Sequence, residues 1–409
     1  MKFYIDPGTG SMLFTILLGI IGASLYSIRM FIVKLRNGIL GKSKEKMEEV
    51  IPFAIYSDDK RYWNIFEPVC REMNRLNKEI VYLTASEDDP VFECPYENVK
   101  AKCIGKGNKS FAYLNYFKAT ILLSTTPGLD VYQWKRSADV AYYVHILHSA
   151  GEITMYRMFG IDYYDAVLVA ADFHIRDIRD LEALRKLPEK EVVKIGLPFM
   201  DEMLKRVEND TELHEHERTV LLAPSWGSNS IFNVYGEKIV ELLLNTGYHI
   251  IIRPHPQSFS SEKELIDSLL KKYPASDRLE WNRDNDNYDV LRRSDILISD
   301  FSGVIYDFAL VHDKPVIYTN PNMDLSVYDA WWLDRPLNKA EFLPLIGREL
   351  NSGNVENIKS LIDECLDDPK YSEGRAYVKE KSWANIGEGA ERTVQYLLDK
   401  YAELTGGES

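Results

Sequence analysis

Three short stretches of the 409-residue chain combine residue types that handle phosphate and protons. Asp300-Phe301-Ser302-Gly303 is a polar, small-residue turn. It lies between an apolar run, 295–299, that reads as a buried strand and a segment, 304–310, that reads as the first turns of a helix. A strand feeding a helix through such a turn aims unpaired backbone N–H groups at one point, at the positive end of the helix dipole. That point suits a phosphate or diphosphate, with Ser302 as an ordinary helix cap as the plainer reading. Arg253-Pro254-His255-Pro256 ends a second apolar run. Its prolines fix the backbone, so the imidazole is presented by a stiff loop. Such a histidine can donate to a phosphate oxygen or stabilise charge on a leaving group. The bland counterparts are a packed loop histidine and, for Arg253, a structural ion pair.

The third stretch is the apolar run 140–147 and the turn His148-Ser149-Ala150-Gly151. His148 and His145 are three apart, so on one strand they point to opposite faces. His145 reads as a core residue. His148, at the C-terminal end where functional groups gather in parallel sheets, can deprotonate a hydroxyl at neutral pH, given an unperturbed pKa near ~6.5. Glu152 follows and could orient His148 or bind an acceptor, although a glutamate at a helix start is also favoured by the dipole alone. Asp307, four residues after Gly303, shares its helix face and could accept hydrogen bonds from a ribose; a capping or solvated role is the alternative. Trp331 and Trp332 read as cleft covers or core.

These stretches must be positioned by a scaffold, and strand and helix alternate from residue 51 onward. Apolar runs at 52–56, 79–84, 119–124, 140–147, 165–170 and 192–195 are interleaved with helical patterns such as 62–76 and 173–187. A second series, 219–223, 248–253, 279–281, 295–299 and 315–318, follows a charged stretch, 201–217, that reads as a connection between domains. His214 and His216 belong to that solvated stretch, and no metal site is called for. Such alternation implies parallel sheets covered by helices, with ligands at strand C-termini in the cleft between two domains. The expected class is α/β, with two Rossmann-like domains and an N-terminal transmembrane helix. The expected boundaries are 1–36 for the anchor, 37–50 for a basic linker and 51–205 for an acceptor-side domain. A donor-nucleotide domain follows at 218–385, and a C-terminal helix and tail at 386–409.

Composition narrows the function. The chain is too long for one compact core. A hydrophobic content of 45% and 12% aromatics are globular values, and the net charge of −14 argues against nucleic-acid binding. Its four cysteines show no CxxC spacing and read as reduced thiols in the cytosol. Residues 7–28 carry no charge and would span roughly 33 Å as a helix, enough to cross a hydrocarbon core. Arg29, Lys34, Arg36, Lys42, Lys44 and Lys46 follow it. The positive-inside rule then predicts a single-pass protein of the inner, cytoplasmic membrane with its catalytic part in the cytoplasm. Gly19, Ala23 and Ser27 form a small-residue face through which two copies could pair as a homo-oligomer.

SDILISDFSGVIYDFALVHDKPVIY (294–318) resembles the Asp-Tyr/Phe-Ser-Ser segment of the CDP-glycerol glycerophosphotransferase family, which builds teichoic-acid and related phosphopolyol chains. The resemblance extends to RPHP at 253–256, to APSW at 223–226 (which brings in Ser225) and to DLSVYDAWWLD at 324–334. It also covers the His148 strand end, where the family commonly has WHGTP. It implies a GT-B-type fold that needs no metal or other cofactor, a CDP-alcohol donor, release of CMP, and a lipid-linked or surface-glycan acceptor. Carried onto these positions, His148 is the base and His255 and Ser302 bind the diphosphate. Beside them, Arg253, Asp300, Gly303, Asp307 and Ser225 are expected on the donor side and Glu152 on the acceptor side. Two departures stand out. His148-Ser149-Ala150-Gly151-Glu152 replaces HGTPLK and removes a lysine, and Gly303 replaces the second serine of the usual pair. A membrane-anchored glycosyltransferase using a nucleotide sugar is the second reading.

Overall fold

The computed structural model describes residues 50–210, 216–284, 286–321 and 323–407. The expected anchor and nearly all of the basic linker therefore lie outside the described residues. Among those described, no helix is long and apolar enough to cross a membrane. Residues Ile51–Ser409 form one compact unit.

Two all-parallel sheets organise that unit. The first contains β1 (Ile51–Ser57), β2 (Ile80–Thr84), β3 (Val99–Cys103), β4 (Ala119–Ser124), β5 (Val140–Ile146), β6 (Ala166–Val169) and β7 (Glu191–Lys194), in the order β3-β2-β1-β4-β5-β6-β7. The second contains β8 (Thr219–Leu222), β9 (His249–Ile252), β10 (Leu279–Trp281), β11 (Ile296–Ser299), β12 (Val316–Tyr318) and β13 (Gly347–Glu349), in the order β10-β9-β8-β11-β12-β13. Each order reverses direction once, between β1 and β4 and between β8 and β11. Crevices at such reversals, outside the strand C-termini, are where open parallel sheets bind ligands. The expected α/β class with parallel sheets is thus present.

Their strands read as continuous apolar runs because both faces are covered. Alternation still sorts the side chains. Val220, Leu222, Ile250, Ile252, Ile296, Ile298 and Ile317 face one apolar cluster. Their neighbours Leu221, Ile251, Leu297 and Val316 belong to the cluster that also holds the core of the first sheet. The two sheets therefore share a core along one face of the second.

Several elements depart from the sequence pattern for identifiable reasons. β3, within a stretch that reads as irregular, is an edge strand whose lysines alternate outward, so it carries no apolar run. The connection at 201–217 is helical in its first half. Helices α1 (Trp63–Arg75), α2 (Asp172–Arg185) and α3 (Pro198–Asn209) cover the first sheet, and α3 buries Phe199, Met200 and Met203 beneath its charged face. Helices α4 (Lys339–Ile346) and α5 (Lys370–Ser382) follow, and the last helix, α6 (Gly389–Thr405), returns to the first sheet. There Phe53 and Tyr401 pack with ring centroids 4.9 Å apart, and the Lys400 ammonium lies 2.9 Å from the Glu191 carboxylate.

One buried carboxylate fastens that return. Asp201 accepts from the Trp383 indole at 3.1 Å, from the Gly387 N–H at 2.8 Å and from the Gly389 N–H at 2.9 Å. Removing it orphans three donors. Asp201→Ala should lower unfolding free energy by about 2–3 kcal/mol, since each buried unsatisfied donor costs about 1–3 kcal/mol and some will find water. The expected readout is a lower urea midpoint with an unchanged slope; an unchanged midpoint would show that α6 is held by apolar packing alone.

Candidate active site in the cleft between the two sheets

Two adjoining cavities, of about 410 and 510 Å³, lie where the C-terminal ends of the strands face each other. His148, Ser302, Val304 and Asp307 line both, so they form one continuous cleft with these residues at its waist. Its size falls within the usual range for small-ligand sites. Glu152, Tyr156, Tyr328 and Lys339 line the smaller part. Arg61, Arg253, His255 and Asn287 line the larger. The structure thus brings the three expected stretches together.

The phosphate turn has a specific anchor. Asp300 is fully buried, and its carboxylate accepts from the Ser225 N–H at 2.9 and 3.0 Å, the Ile231 N–H at 3.2 Å and the Phe301 N–H at 2.9 Å. Burial pushes its pKa up, and these hydrogen bonds oppose that shift. The loop after β8 and the turn after β11 are therefore tied at one point. This corrects the direct donor-binding expectation for two residues. Asp300 lines the smaller part of the cleft but has its oxygens occupied by backbone N–H groups, and Ser225 is buried and lines neither cavity. The helix expected after the turn is also different: Val304–Tyr306 is a single α-turn, continued by a π-helical segment over Asp307–Val311. The dipole contribution from so short a helix is small, and the Val304 N–H reaches the Ser302 hydroxyl only at 3.5 Å.

The two histidines have opposite environments. His255 Nδ1 accepts from the Gln257 N–H at 3.1 Å, so the neutral ring carries its proton on Nε2. His148 Nδ1 lies 3.0 Å from the Thr125 hydroxyl and 3.3 Å from that of Tyr156, and its Nε2 has no protein partner among the described residues. A proton on Nδ1, shared with Thr125, leaves the Nε2 lone pair free; the tautomer is assigned from these partners. Burial first, and the Arg61 charge second, pull His148 and His255 each down to about 4, so both are neutral at pH 7.

His145 is the core histidine expected, fully buried and pulled down to about 3 by burial. The opposite-face argument does not hold, however. Its Nε2 lies 3.3 Å from the same Tyr156 hydroxyl that His148 meets. β5 ends at Ile146 and the chain turns, so strand alternation does not reach His148.

Other expected residues are placed differently. Glu152 lines the smaller part of the cleft and makes no hydrogen bond to His148 among the described residues; it accepts from the Lys339 N–H at 2.6 Å and the Asn338 amide at 3.1 Å, starting α4. Arg253 is pinned by the Asn282 side chain and the Asp284 carbonyl, at 2.7 Å from the latter, although it still lines the cleft. Trp331 is 62% and Trp332 37% exposed, so neither is core, and neither lines either cavity. Ser302 sits at the waist, and Gly303 lines the smaller part of the cleft.

Four contributors were not read from the sequence. Arg61 and Thr125 follow β1 and β4, the strands that flank the reversal in the first sheet, and that rule was the available signal. Tyr156 and Lys339 carry no local signal. Lys339 nonetheless restores a cation to the cavity whose loop lost the expected lysine.

Comparison with known proteins gives the same outline. A family model described as CDP-Glycerol:Poly(glycerophosphate) glycerophosphotransferase matches residues 154–382. The match includes His255 and Ser302 and begins just after the His148 turn. A teichoic acid glycerol-phosphate primase of Bacillus spizizenii is 24% identical over 270 residues, or 61% of this chain and 65% of that protein. The alignment thus spans just under two thirds of that relative. Among solved structures, the wall teichoic acid polymerase TagF soaked with CDPG superposes with a TM-score of 0.56 at 16% identity, over 93% of this chain and 99% of that one. The UDP-GlcNAc 2-epimerase of Methanocaldococcus jannaschii, in complex with UDP-GlcNAc and UDP, gives 0.57 at 14% identity over 85% and 100%. These likenesses show a shared fold.

Asp307 gives the waist a measurable signature. Burial pushes its carboxyl up to about 7, opposed by a hydrogen bond with Asn287. A raised acid contributes stability that is complete below the unfolded-chain value near ~4 and is lost as pH rises through about 7. The melting-temperature advantage of Asp307→Asn over the parent should therefore grow from pH 4.5 to 7 and level off above it. An advantage that shrinks over that range would show the carboxylate to be ionised and paired.

Proposed function

The chain belongs to the CDP-glycerol:poly(glycerophosphate) glycerophosphotransferase family, and on that premise we propose that it transfers glycerol phosphate, or a related polyol phosphate, from a CDP-activated donor to a hydroxyl of a lipid-linked or cell-surface glycan. The observation that carries this reading is the pair of imidazoles on one cleft whose Nδ1 atoms are both held by the protein, His255 by the Gln257 N–H and His148 by the Thr125 hydroxyl, so that both Nε2 atoms are left for a ligand.

An acceptor hydroxyl attacks the phosphorus that bears the polyol. The new P–O bond forms as the bond to the CMP phosphate breaks, and the hydroxyl proton passes to His148 Nε2. CMP leaves with the bonding pair, and its growing charge is met by His255 Nε2–H, by Arg61 and by the N–H groups of the Ser302 turn. Asp307, Asn287 and Arg253 border the part of the cleft that takes the nucleoside. Positioning and charge stabilisation supply most of the acceleration, and the buried, neutral state of both rings is the preorganised state such catalysis uses.

The chain is further placed at the cytoplasmic membrane by residues 7–28, with the basic residues after them on anionic headgroups. Removal of residues 1–36 should then move the protein from the membrane fraction to the soluble one. The shared fold with a UDP-sugar enzyme keeps a nucleotide-sugar donor as the second reading.

A CMP-release assay against CDP-glycerol, CDP-ribitol and UDP-sugars separates the two. Release of CMP from a CDP-alcohol, and no turnover of UDP-sugars, is expected. His148→Ala should lower kcat by roughly 10²–10⁴-fold, the usual contribution of a general base, with CMP affinity nearly unchanged. Full activity in that variant would remove the base assignment, and turnover of UDP-sugars alone would replace the donor.

A further inference from the structure

The turn that follows β5 and the turn that follows β11 touch at two glycines. A Cβ on Gly303 would lie 2.8 Å from Ser149 Oγ and 3.3 Å from Ser149 Cβ. A Cβ on Gly151 would lie 3.1 Å from the Tyr306 ring and 3.4 Å from Ser149 Oγ. Gly303 has φ −60° and ψ −23°, an ordinary helical conformation open to any residue. Glycine at 303 is therefore favoured by space, not by backbone freedom, and the atom that claims the space is the Ser149 hydroxyl.

That hydroxyl is held and still available. Its oxygen accepts from the Gly151 N–H at 3.1 Å, which fixes it in place. Its hydrogen has no acceptor among the described residues, and Ser149 lines the same cavity as Ser302 and Gly303. A serine hydroxyl is one donor with two lone pairs, so holding it by a lone pair leaves the donor to aim at a ligand oxygen.

We propose that Ser149 supplies, from the opposite wall of the cleft, the hydroxyl that the phosphate-binding turn lacks at Gly303, so that the donor diphosphate is gripped by both turns. This rests on the reading of the 300–303 turn as a phosphate site. Relative to the sequence pattern that the two segments resemble, serine and glycine have changed places: glycine after the histidine and serine at 303 become Ser149 and Gly303. A hydroxyl is kept at the contact while the side that contributes it is exchanged. A ligand oxygen at this point is then tied to the turn that carries His148, and the bound diphosphate links the base to the phosphate turn.

The test is titration calorimetry with CDP and with UDP on the full chain, for the parent, Ser149→Ala, Gly303→Ser and the double variant Ser149→Gly/Gly303→Ser. Ser149→Ala should weaken diphosphate binding about tenfold, the loss of one hydrogen bond to a charged group, with the melting temperature held. Gly303→Ser alone should bind worse than that or fail to fold. The double variant should fold and return to within about threefold of the parent, because the hydroxyl is restored on the other wall. Unchanged affinity in Ser149→Ala overturns the proposal, as does a double variant no better than Gly303→Ser alone. A parent that binds UDP and not CDP overturns the donor assignment alone, and the Ser149 comparison is then read with UDP. A parent that binds neither overturns both.

Discussion

The cleft depends on one buried carboxylate. Asp300 sits at the end of β11 beside β8, the point where the second sheet reverses, and gathers N–H groups from both loops that leave there. A carboxylate moved from water into such a place is destabilised, and several hydrogen bonds to its charged form are what make burial tolerable. The geometry of Ser302 and Gly303 follows from this tie. Together with the Ser299 hydroxyl, which donates to the Ala223 carbonyl at 2.6 Å, it holds the two loops at one separation, and the backbone groups at the waist of the cleft inherit that separation.

A second constraint acts on the electrostatics of both walls. His148 and His255 are kept neutral by the same two causes, burial and the Arg61 guanidinium, yet the Nε2 each presents to the cleft is an acceptor in His148 and a donor in His255. The difference comes from their Nδ1 partners, an N–H donor for His255 and a hydroxyl for His148. Two neutral imidazoles separated by tautomer can accept and donate protons without either changing charge first. A cation nearby serves both needs, since it opposes ring protonation in the empty cleft and attracts the phosphate that fills it. Arg61 suits this because it is not itself buried: its guanidinium is 46% exposed and lies 3.8 Å from Asp59. A weak surface pair of that kind leaves a side chain free to move toward a ligand.

How much of this was legible in the sequence depends on whether the signal is local. The strands were visible because doubly covered parallel strands are apolar runs, as in Ile250-Ile251-Ile252, and the three chemical stretches because each ends such a strand. Local rules failed where tertiary contact decides. β3 hid behind its alternating lysines and α3 behind its charged face. The apparent two-face placement of His145 and His148 failed because β5 stops at Ile146, before the second histidine. Polar residues near the site, Ser225, Asp300 and Glu152, were each read as ligands because their types are right. Their oxygens or backbone groups are instead used up in holding loops, and which partners satisfy a polar group is a property of the fold. Arg61, Thr125, Tyr156 and Lys339 reach the cleft from four separate places along the chain, and spacing cannot show that.

The two walls are not equally free to move. On the side of Tyr328, the segment after β12 is stitched to the first half of the chain by backbone hydrogen bonds, from the Met158 N–H to the Val327 carbonyl at 3.1 Å and from the Asp329 N–H to the Tyr156 carbonyl at 2.9 Å. Asp329 also accepts from the Phe159 N–H at 2.7 Å and pairs with Arg185, which reaches Asp162 at 2.7 Å, and all three charged side chains are at most 5% exposed. Opening that side would strand buried charges, which costs far more than separating exposed ones. Among the described residues, the rim carrying Arg61, His255 and Gln257 has no buried clamp of this kind: its Arg206–Asp286 pair, at 2.7 Å, is exposed, as are Gln257 and Arg61. The side bearing Tyr156 and the His148 turn is therefore the stiffer of the two. Under the proposed function, that stiffness would keep the proposed base aligned while the leaving nucleotide departs past the other rim.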